Sequence, residues 1–460
     1  CSSDLINMAE KSTMKQLNKT LGFMDLMSIA VGQIIGSGVM VMSIAALGMT
    51  GRSVNIAFVV AAVFTCFGAL PTIFMGSTIR AMGGFYTQAA IFVGDKFAGY
   101  YAVTYIFNRM SLALFGTGLA SYTIQLVPGL APYATPLAIG YLVLFFVLNF
   151  FGTEWMAKAQ TFMFYLLVVA LIMFTAFGLP KVQWAGYFGN ELFGEPLFTN
   201  GISGLLEAAT YLTFATGGAT VVVNFSAEAI NPTKDIPKVV IISTLLVAIL
   251  YAFMACCIGG ILPSADVQAA GNLGVIALEI MPKPCYYFFM VCGAIFALAT
   301  TLNSSIANAI RPLMQATDDG WFPAFFNKLS KFKTTPVWLL IFFIVNGGAI
   351  LLGMNTAMIG KLVLLLGNIN NFILAAGILR LPKLFPEAWA KSPFHVSDTV
   401  LKVLIGMSEV IILVQAYMNC KGQATWVLIA NAVMLVFSLV YTQVLYKSGK
   451  VHVAPSYEFA

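Results

Sequence analysis

Three glycines and a serine interrupt an apolar run at Gly32-Gln33-Ile34-Ile35-Gly36-Ser37-Gly38, and a second run is interrupted at Phe214-Ala215-Thr216-Gly217-Gly218. A glycine costs about 1 kcal/mol against alanine inside a helix, so such clusters mark places where a helix stops and restarts. Where the first run resumes, the N–H groups of Ser37 and Gly38 lack an intrahelical acceptor and sit at the positive end of a half-helix dipole, which suits a carboxylate. Where the first halves stop, carbonyls near Ile34, Phe214, Ala215 and Gly217 present negative ends, which suits a primary or secondary ammonium. Together they describe the two charged ends of an amino acid. The competing reading is close helix packing, for which Gly32 and Gly36 have the right spacing.

Other polar residues sit in apolar surroundings. Arg109 is an intramembrane cation and therefore a functional hypothesis by default. It can pair with an acidic group of a substrate, stand in for a coupling cation, or form an interior ion pair with Glu207 or Glu228. Glu207, two helical turns before the second break, is a candidate outer-gate residue or a scaffold hydrogen-bonding group. Thr301, Ser305 and Asn308 share one helix face, and Thr301 and Ser305 are a candidate ion site, although such stripes also pack helices together. Asn368, Asn370 and Asn371 suit gating and interhelical hydrogen bonding equally. Only two histidines occur, His395 and His452. Neither has ligand-spaced neighbours, and Ser37 has no histidine base in any span. An intramembrane hydrolase, a zinc or haem enzyme and a channel with a repeated polar filter are all disfavoured. No cofactor is expected beyond a coupling ion, Na+ or H+, which the residues leave open.

The elements that position these residues follow from composition. The chain has 460 residues, 60% hydrophobic and 9% charged, against about a quarter charged in soluble domains. A water-facing surface and a nucleic-acid partner are excluded. The seven cysteines lie mostly in apolar runs and imply no disulfide framework. Apolar runs predict twelve transmembrane helices near 23–49, 54–79, 98–126, 134–152, 157–180, 201–229, 238–262, 284–314, 335–353, 357–380, 400–420 and 424–447, called spans 1 to 12. Residues 80–97 read as an amphipathic stretch on the inner surface. Residues 1–21 hold no apolar segment of signal-peptide length, so span 1 is expected to direct membrane entry. Outside loops keep only Arg52, Lys181, Lys283 and Lys421 of the 24 basic residues, while Arg109 and Lys361 fall within spans. Both termini are thereby expected in the cytoplasm. The domain organisation is a tail 1–22, one membrane domain 23–447 and a tail 448–460. Within it the breaks lie five spans apart, as inverted repeats of about 23–180 and 201–380 with two appended helices, 400–447, would place them.

With these motifs the chain resembles the amino acid–polyamine–organocation transporter superfamily, and within it the L-amino acid transporter branch. The resemblance rests on Ile34-Ile35-Gly36-Ser37-Gly38, Phe214-Ala215-Thr216-Gly217-Gly218, Asn224-Phe225-Ser226-Ala227-Glu228 and Asn231-Pro232. Gly83-Gly84-Phe85-Tyr86, Arg311 and Asp319-Gly320-Trp321-Phe322-Pro323 add to it. It implies an all-α membrane protein with the five-plus-five inverted-repeat fold of the leucine transporter and broken helices 1 and 6. It implies substrate carboxylate at Ser37 and Gly38, ammonium at carbonyls of Ile34, Phe214 and Gly217, Phe214 as outer gate, and Asn224 as a further polar contact. The substrate-binding set is then Ile34, Gly36, Ser37, Gly38, Phe214, Ala215, Gly217, Gly218, Asn224 and Arg109. The expected function is secondary active amino acid transport in the cell membrane by alternating access, as exchanger or symporter. The alternative is a carrier of polyamines or of carboxylates lacking an amine. Departures from the family are Leu167, where some proton-coupled relatives carry a lysine, and Ala219, where some carry a tryptophan beside the glycine pair. An accessory single-span subunit, used by some relatives, is not indicated.

Overall fold

The computed structural model describes residues 17–36, 38–189, 191–270, 273–353, 356–420 and 425–459. Ser37 and Lys421, and the side chain of Lys361, lie outside the described residues. The molecule is nearly all helix. In chain order the elements are α1 (Phe23–Ile34), α2 (Ser43–Thr50), α3 (Val54–Thr78), β1 (Ile79–Ala81), α4 (Phe85–Phe92), α5 (Asp95–Asn108), α6 (Ser111–Leu126) and α7 (Ala134–Phe150). There follow α8 (Thr153–Gly178), α9 (Gly201–Thr216), α10 (Pro232–Gly260), α11 (Phe296–Asp318), α12 (Pro336–Leu351), α13 (Thr356–Gly377), α14 (Asp398–Cys420), α15 (Thr425–Lys447) and β2 (Tyr457–Phe459). Among the described residues, nine segments are long and apolar enough to cross a membrane.

The exposed surface has the composition expected of lipid contact. On α15, Ile429, Val433, Val436, Val440 and Val444 are all exposed. Their spacing of three or four residues makes one aliphatic stripe pointing away from the bundle, the inverse of a helix on a soluble protein. Buried faces pack the helices into two groups. In one, α3 lies along α9 and α10, with α1 against α10 and α2 against α9; in the other, α11 packs on α6, α7 and α8, α12 on α7, and α13 on α6. Helix α1 joins the groups through α8 and α11.

Three local expectations change. Span 3 is two helices, α5 and α6, parted by a turn at Arg109 and Met110. No glycine or proline is needed there, because Asn346 Oδ1 on α12 takes the Ala113 N–H at 2.9 Å and fixes the restart. The fold is also not purely α. Residues 79–81 pair antiparallel with the C-terminal strand, Ile79 opposite Phe459 and Arg80 opposite Glu458. The tail thus returns to the end of the bundle where residues 20 and 21 bond to Glu228 O at 3.0 Å. Finally, Arg52 is no solvated loop cation. It is fully buried, and its guanidinium donates to the carbonyls of Leu192, Gly189 and Glu195 at 2.8, 2.7 and 3.0 Å, pinning the loop before α9.

Candidate functional site

Helix α1 ends where expected. Ile35 leaves helical geometry at φ −81°, ψ 87°, and the chain resumes through a widened turn at Gly38–Met42 that runs into α2. The carbonyls freed by the stop are partly taken within the protein. Ile34 O accepts the Gly36 N–H at 3.0 Å and the Tyr251 hydroxyl of α10 at 3.3 Å. Both its lone pairs are thus occupied, contrary to the expectation of an open carbonyl at that residue. Thr301 Oγ1 lies 2.8 Å from Gly32 O and 3.4 Å from Ile35 O, which ties the break to α11.

The second break faces the first. Helix α9 stops at Thr216, and Gly218 sits at φ 117°, a conformation that L side chains rarely adopt. A Cβ there would also come within 3.0 Å of the Gln33 side chain. Gly38 meets α9 just as closely, since a Cβ on it would lie 2.6 Å from the Ala215 Cα. Glycines at these positions let two interrupted backbones touch without a side chain between them. Gln33 lies inside the glycine cluster, where residue type and spacing alone give it no role. Its Oε1 accepts from Ser304 and Ser305 at 2.8 and 3.1 Å, so the amide reaches across from α1 to α11.

Between the breaks lies a cavity of about 400 Å³. Ile34, Gly36, Gly38, Phe214, Gly217, Gly218, Arg109, Thr301 and Ser305 all line it. Phe214 is 44% exposed, an aromatic ring standing on the cavity wall. Ala215 and Asn224 do not line it. Ala215 is packed against Gly38, and Asn224 is buried with its Oδ1 accepting the Phe85 N–H at 3.1 Å, a bond that seats α4 against the exit of α9. Glu207 is exposed and also absent from the wall. Of the asparagines on α13, Asn368 and Asn371 face the cavity, while Asn370 Nδ2 donates to Thr104 at 2.9 Å in an interhelical bond.

Arg109 forms no ion pair with Glu207 or Glu228. Its Nη1 donates to Asn308 Oδ1 at 3.2 Å, and its guanidinium lies over the Tyr105 ring, 4.3 Å from the centroid. Glu228 instead pairs with Arg311, Nε to Oε2 at 2.5 Å and Nη2 to Oε1 at 3.0 Å, both side chains buried. Thr153 at the start of α8 closes this group by donating to Glu228 and accepting from Arg311, and the Phe225 ring lies 4.2 Å from the guanidinium. Arg80, likewise buried, donates to the carbonyls of Ser226, Ala227 and Ala229 at 2.8, 2.8 and 3.1 Å. The exit of α9 is therefore held from two sides by arginines. Beside it Tyr86 donates to Asp319 at 2.6 Å, joining two of the motif stretches. Burial pushes the Asp319 carboxyl up to about 6, against the hydrogen bonds from Tyr86, Ala454 and Gln315 that favour its charged form.

Among the described residues the arrangement is a cavity bordered by two helix breaks, with the Glu228–Arg311 cluster at the exit of α9 as its base, and it holds no nucleophile paired with a proton acceptor. Known proteins agree with a transport role. The chain is 25% identical to the branched-chain amino acid permease BcaP of Bacillus subtilis, over 84% of this chain and 85% of that one. It is 25% identical to the vacuolar cationic amino acid transporter 4 of Arabidopsis thaliana, over 78% of this chain and 62% of that one. A methylthioribose transporter of Bacillus subtilis is 22% identical over 73% and 76%. The amino acid permease family model matches residues 25–453, nearly the whole chain, and the protein belongs to the amino acid permease family.

Proposed function

We propose that the protein is a secondary active transporter that carries an amino acid across the cell membrane by alternating access. The observation that supports this reading is the meeting of two helix breaks, at Gly36 and Gly38 and at Gly217 and Gly218, on the wall of one cavity within an apolar bundle. Irregular backbone at membrane depth is tolerated only where it lines a cavity or is buried in protein. The restart at Ser37 and Gly38 supplies donors to a carboxylate, and carbonyls at Phe214 and Gly217 receive the ammonium. Phe214 is the outer gate; Glu207, away from the cavity, fits the scaffold role. Twelve spans in a five-plus-five repeat accommodate these elements, with α1, α3, α9 and α10 rocking against the remainder. Residues 19–21 and 457–459 meet beside Arg80 and Glu228, and the positive-inside rule assigns that face to the cytoplasm.

Work comes from a gradient, either of a second amino acid in exchange or of an ion. Thr301 and Ser305, beside the α1 break, are the residues for an ion, and Leu167 in α8 offers no lysine for a proton. The alternative cargoes, polyamines or amine-free carboxylates, use only half of the two-ended site and are less favoured by membership of an amino acid permease family. The test is thermal stabilisation of the purified protein by the twenty amino acids, polyamines, short carboxylates and methylthioribose. A ligand that binds only the folded state raises apparent stability by RT ln(1 + [L]/Kd). Shifts confined to amino acids are expected. Shifts only from amines, only from amine-free acids, or only from methylthioribose overturn the assignment. Counterflow in liposomes, with and without Na+ or pH gradients, then separates exchange from symport.

A further inference from the structure

Arg109 is the single charged side chain on the cavity wall among the described residues, and no ion pair neutralises it there. Its Nε, shut away from solvent, has no hydrogen-bond partner. Its one acceptor, Asn308 Oδ1, is shared with the Tyr105 hydroxyl at 3.1 Å, and an amide oxygen is a dipole, not a counter-charge. Nearby, Asn308 Nδ2 and the cavity-lining Asn368 Nδ2 are buried without acceptors, against one cavity-lining acceptor without a donor, Gln88 Oε1. A fixed positive charge, unpaired donors and an accessible chamber call for an anion supplied from outside.

We propose that the cavity selects amino acids bearing a second anionic group on the side chain, held at Arg109 while the amino acid moiety is held at the breaks. The proposal rests on the amino acid transport reading of the same cavity. Helix α11 provides the ruler. Thr301, bonded to the α1 break, and Asn308, bonded to Arg109, are seven residues apart, about 10 Å along the axis at 1.5 Å per residue. In an extended five-carbon dicarboxylic amino acid the two carboxyl carbons are about 5 Å apart, and hydrogen bonds of about 3 Å at the two ends bring the reach to about 11 Å, close to that rise. An amino acid with a cationic side chain would set like charge against Arg109 and is excluded by the same geometry. The guanidinium fork also matches a planar carboxylate in two-point contact.

The experiment is uptake and competition with labelled glutamate, glutamine, leucine and lysine in liposomes containing the full chain, for the wild type, Arg109→Gln and Arg109→Lys. Thermal stability without ligand establishes that each variant is folded. The wild type should take glutamate at least tenfold better than glutamine and ignore lysine. Arg109→Gln should weaken glutamate by about a hundredfold and invert the glutamate-to-glutamine preference. Arg109→Lys should keep the preference in reduced form, because the charge stays and the fork is lost. Uptake of leucine or glutamine without glutamate overturns the anion-selective site and leaves amino acid transport standing. Glutamate uptake that survives Arg109→Gln unchanged overturns it too, and no binding of any amino acid overturns both.

Discussion

The chamber wall and the base beneath it treat buried polar groups in opposite ways. At the base, Glu228 and Arg311 satisfy each other in two-point contact, Thr153 fills the gap between them, and Arg80 holds three backbone carbonyls of the same segment. At the wall, Arg109 has half an amide and an aromatic face, and asparagine donors lack acceptors. A saturated network specifies one arrangement, and its members are costly to separate. An unsaturated one has something left to bind. Two arginines of equal charge thus stand in opposite surroundings, one paired with a carboxylate at the exit of α9 and the other on the cavity wall with no counter-charge among the described residues.

The largest effect is expected from breaking the base. Arg311→Ala leaves Glu228 buried without its partner, a change that costs about 3–5 kcal/mol. The purified variant should lose its cooperative melt or melt far below the wild type, and an unchanged melting temperature would mean that the base is not the rigid region. Next comes the wall. Gly218→Val forces a β-branched residue to φ 117° and into Gln33, a strain of about 1–3 kcal/mol. The melt should shift modestly, whereas stabilisation by an amino acid should vanish; ligand response at wild-type strength would remove the break from the site. The smallest effect is a pH dependence. The Asp319 carboxyl rises from 3.8 when unfolded to about 6 when folded, so between those values the folded state binds the extra proton. Its contribution to stability is greatest below about 4 and is lost as pH rises through about 6. Asp319→Asn should flatten that part of the profile, and a profile that keeps its slope assigns it to other groups.

The helical, membrane-spanning character was legible because the membrane demands long apolar helices and punishes broken ones. The glycine clusters at 32–38 and 217–218 break the chain where the sequence placed them, since a cluster of glycines weakens a helix wherever it is packed. The break at Arg109 carried no such signal. Asn108-Arg109-Met110-Ser111 contains neither glycine nor proline, and the turn depends on Asn346, a residue more than two hundred positions away. Asn224 reads as a ligand contact from its place after the second break, yet it lies off the cavity wall with its Oδ1 on the Phe85 N–H. The strand pairing of residues 79–81 with 457–459 was hidden for a similar reason. Three-residue strands have no readable period, and their pairing comes from the tail folding back to Arg80.

The sequence by itself determined that the chain lives in lipid and where two of its helices break. Those properties are set by composition and local spacing, which act before any long-range contact forms. Only the tertiary structure decided which polar side chains are spoken for. In the sequence Arg109 and Arg311 are each one cation in an apolar run, but a carboxylate 83 residues away reaches Arg311 and, among the described residues, none reaches Arg109. Neutralisation depends on distance in space, and packing alone sets that distance.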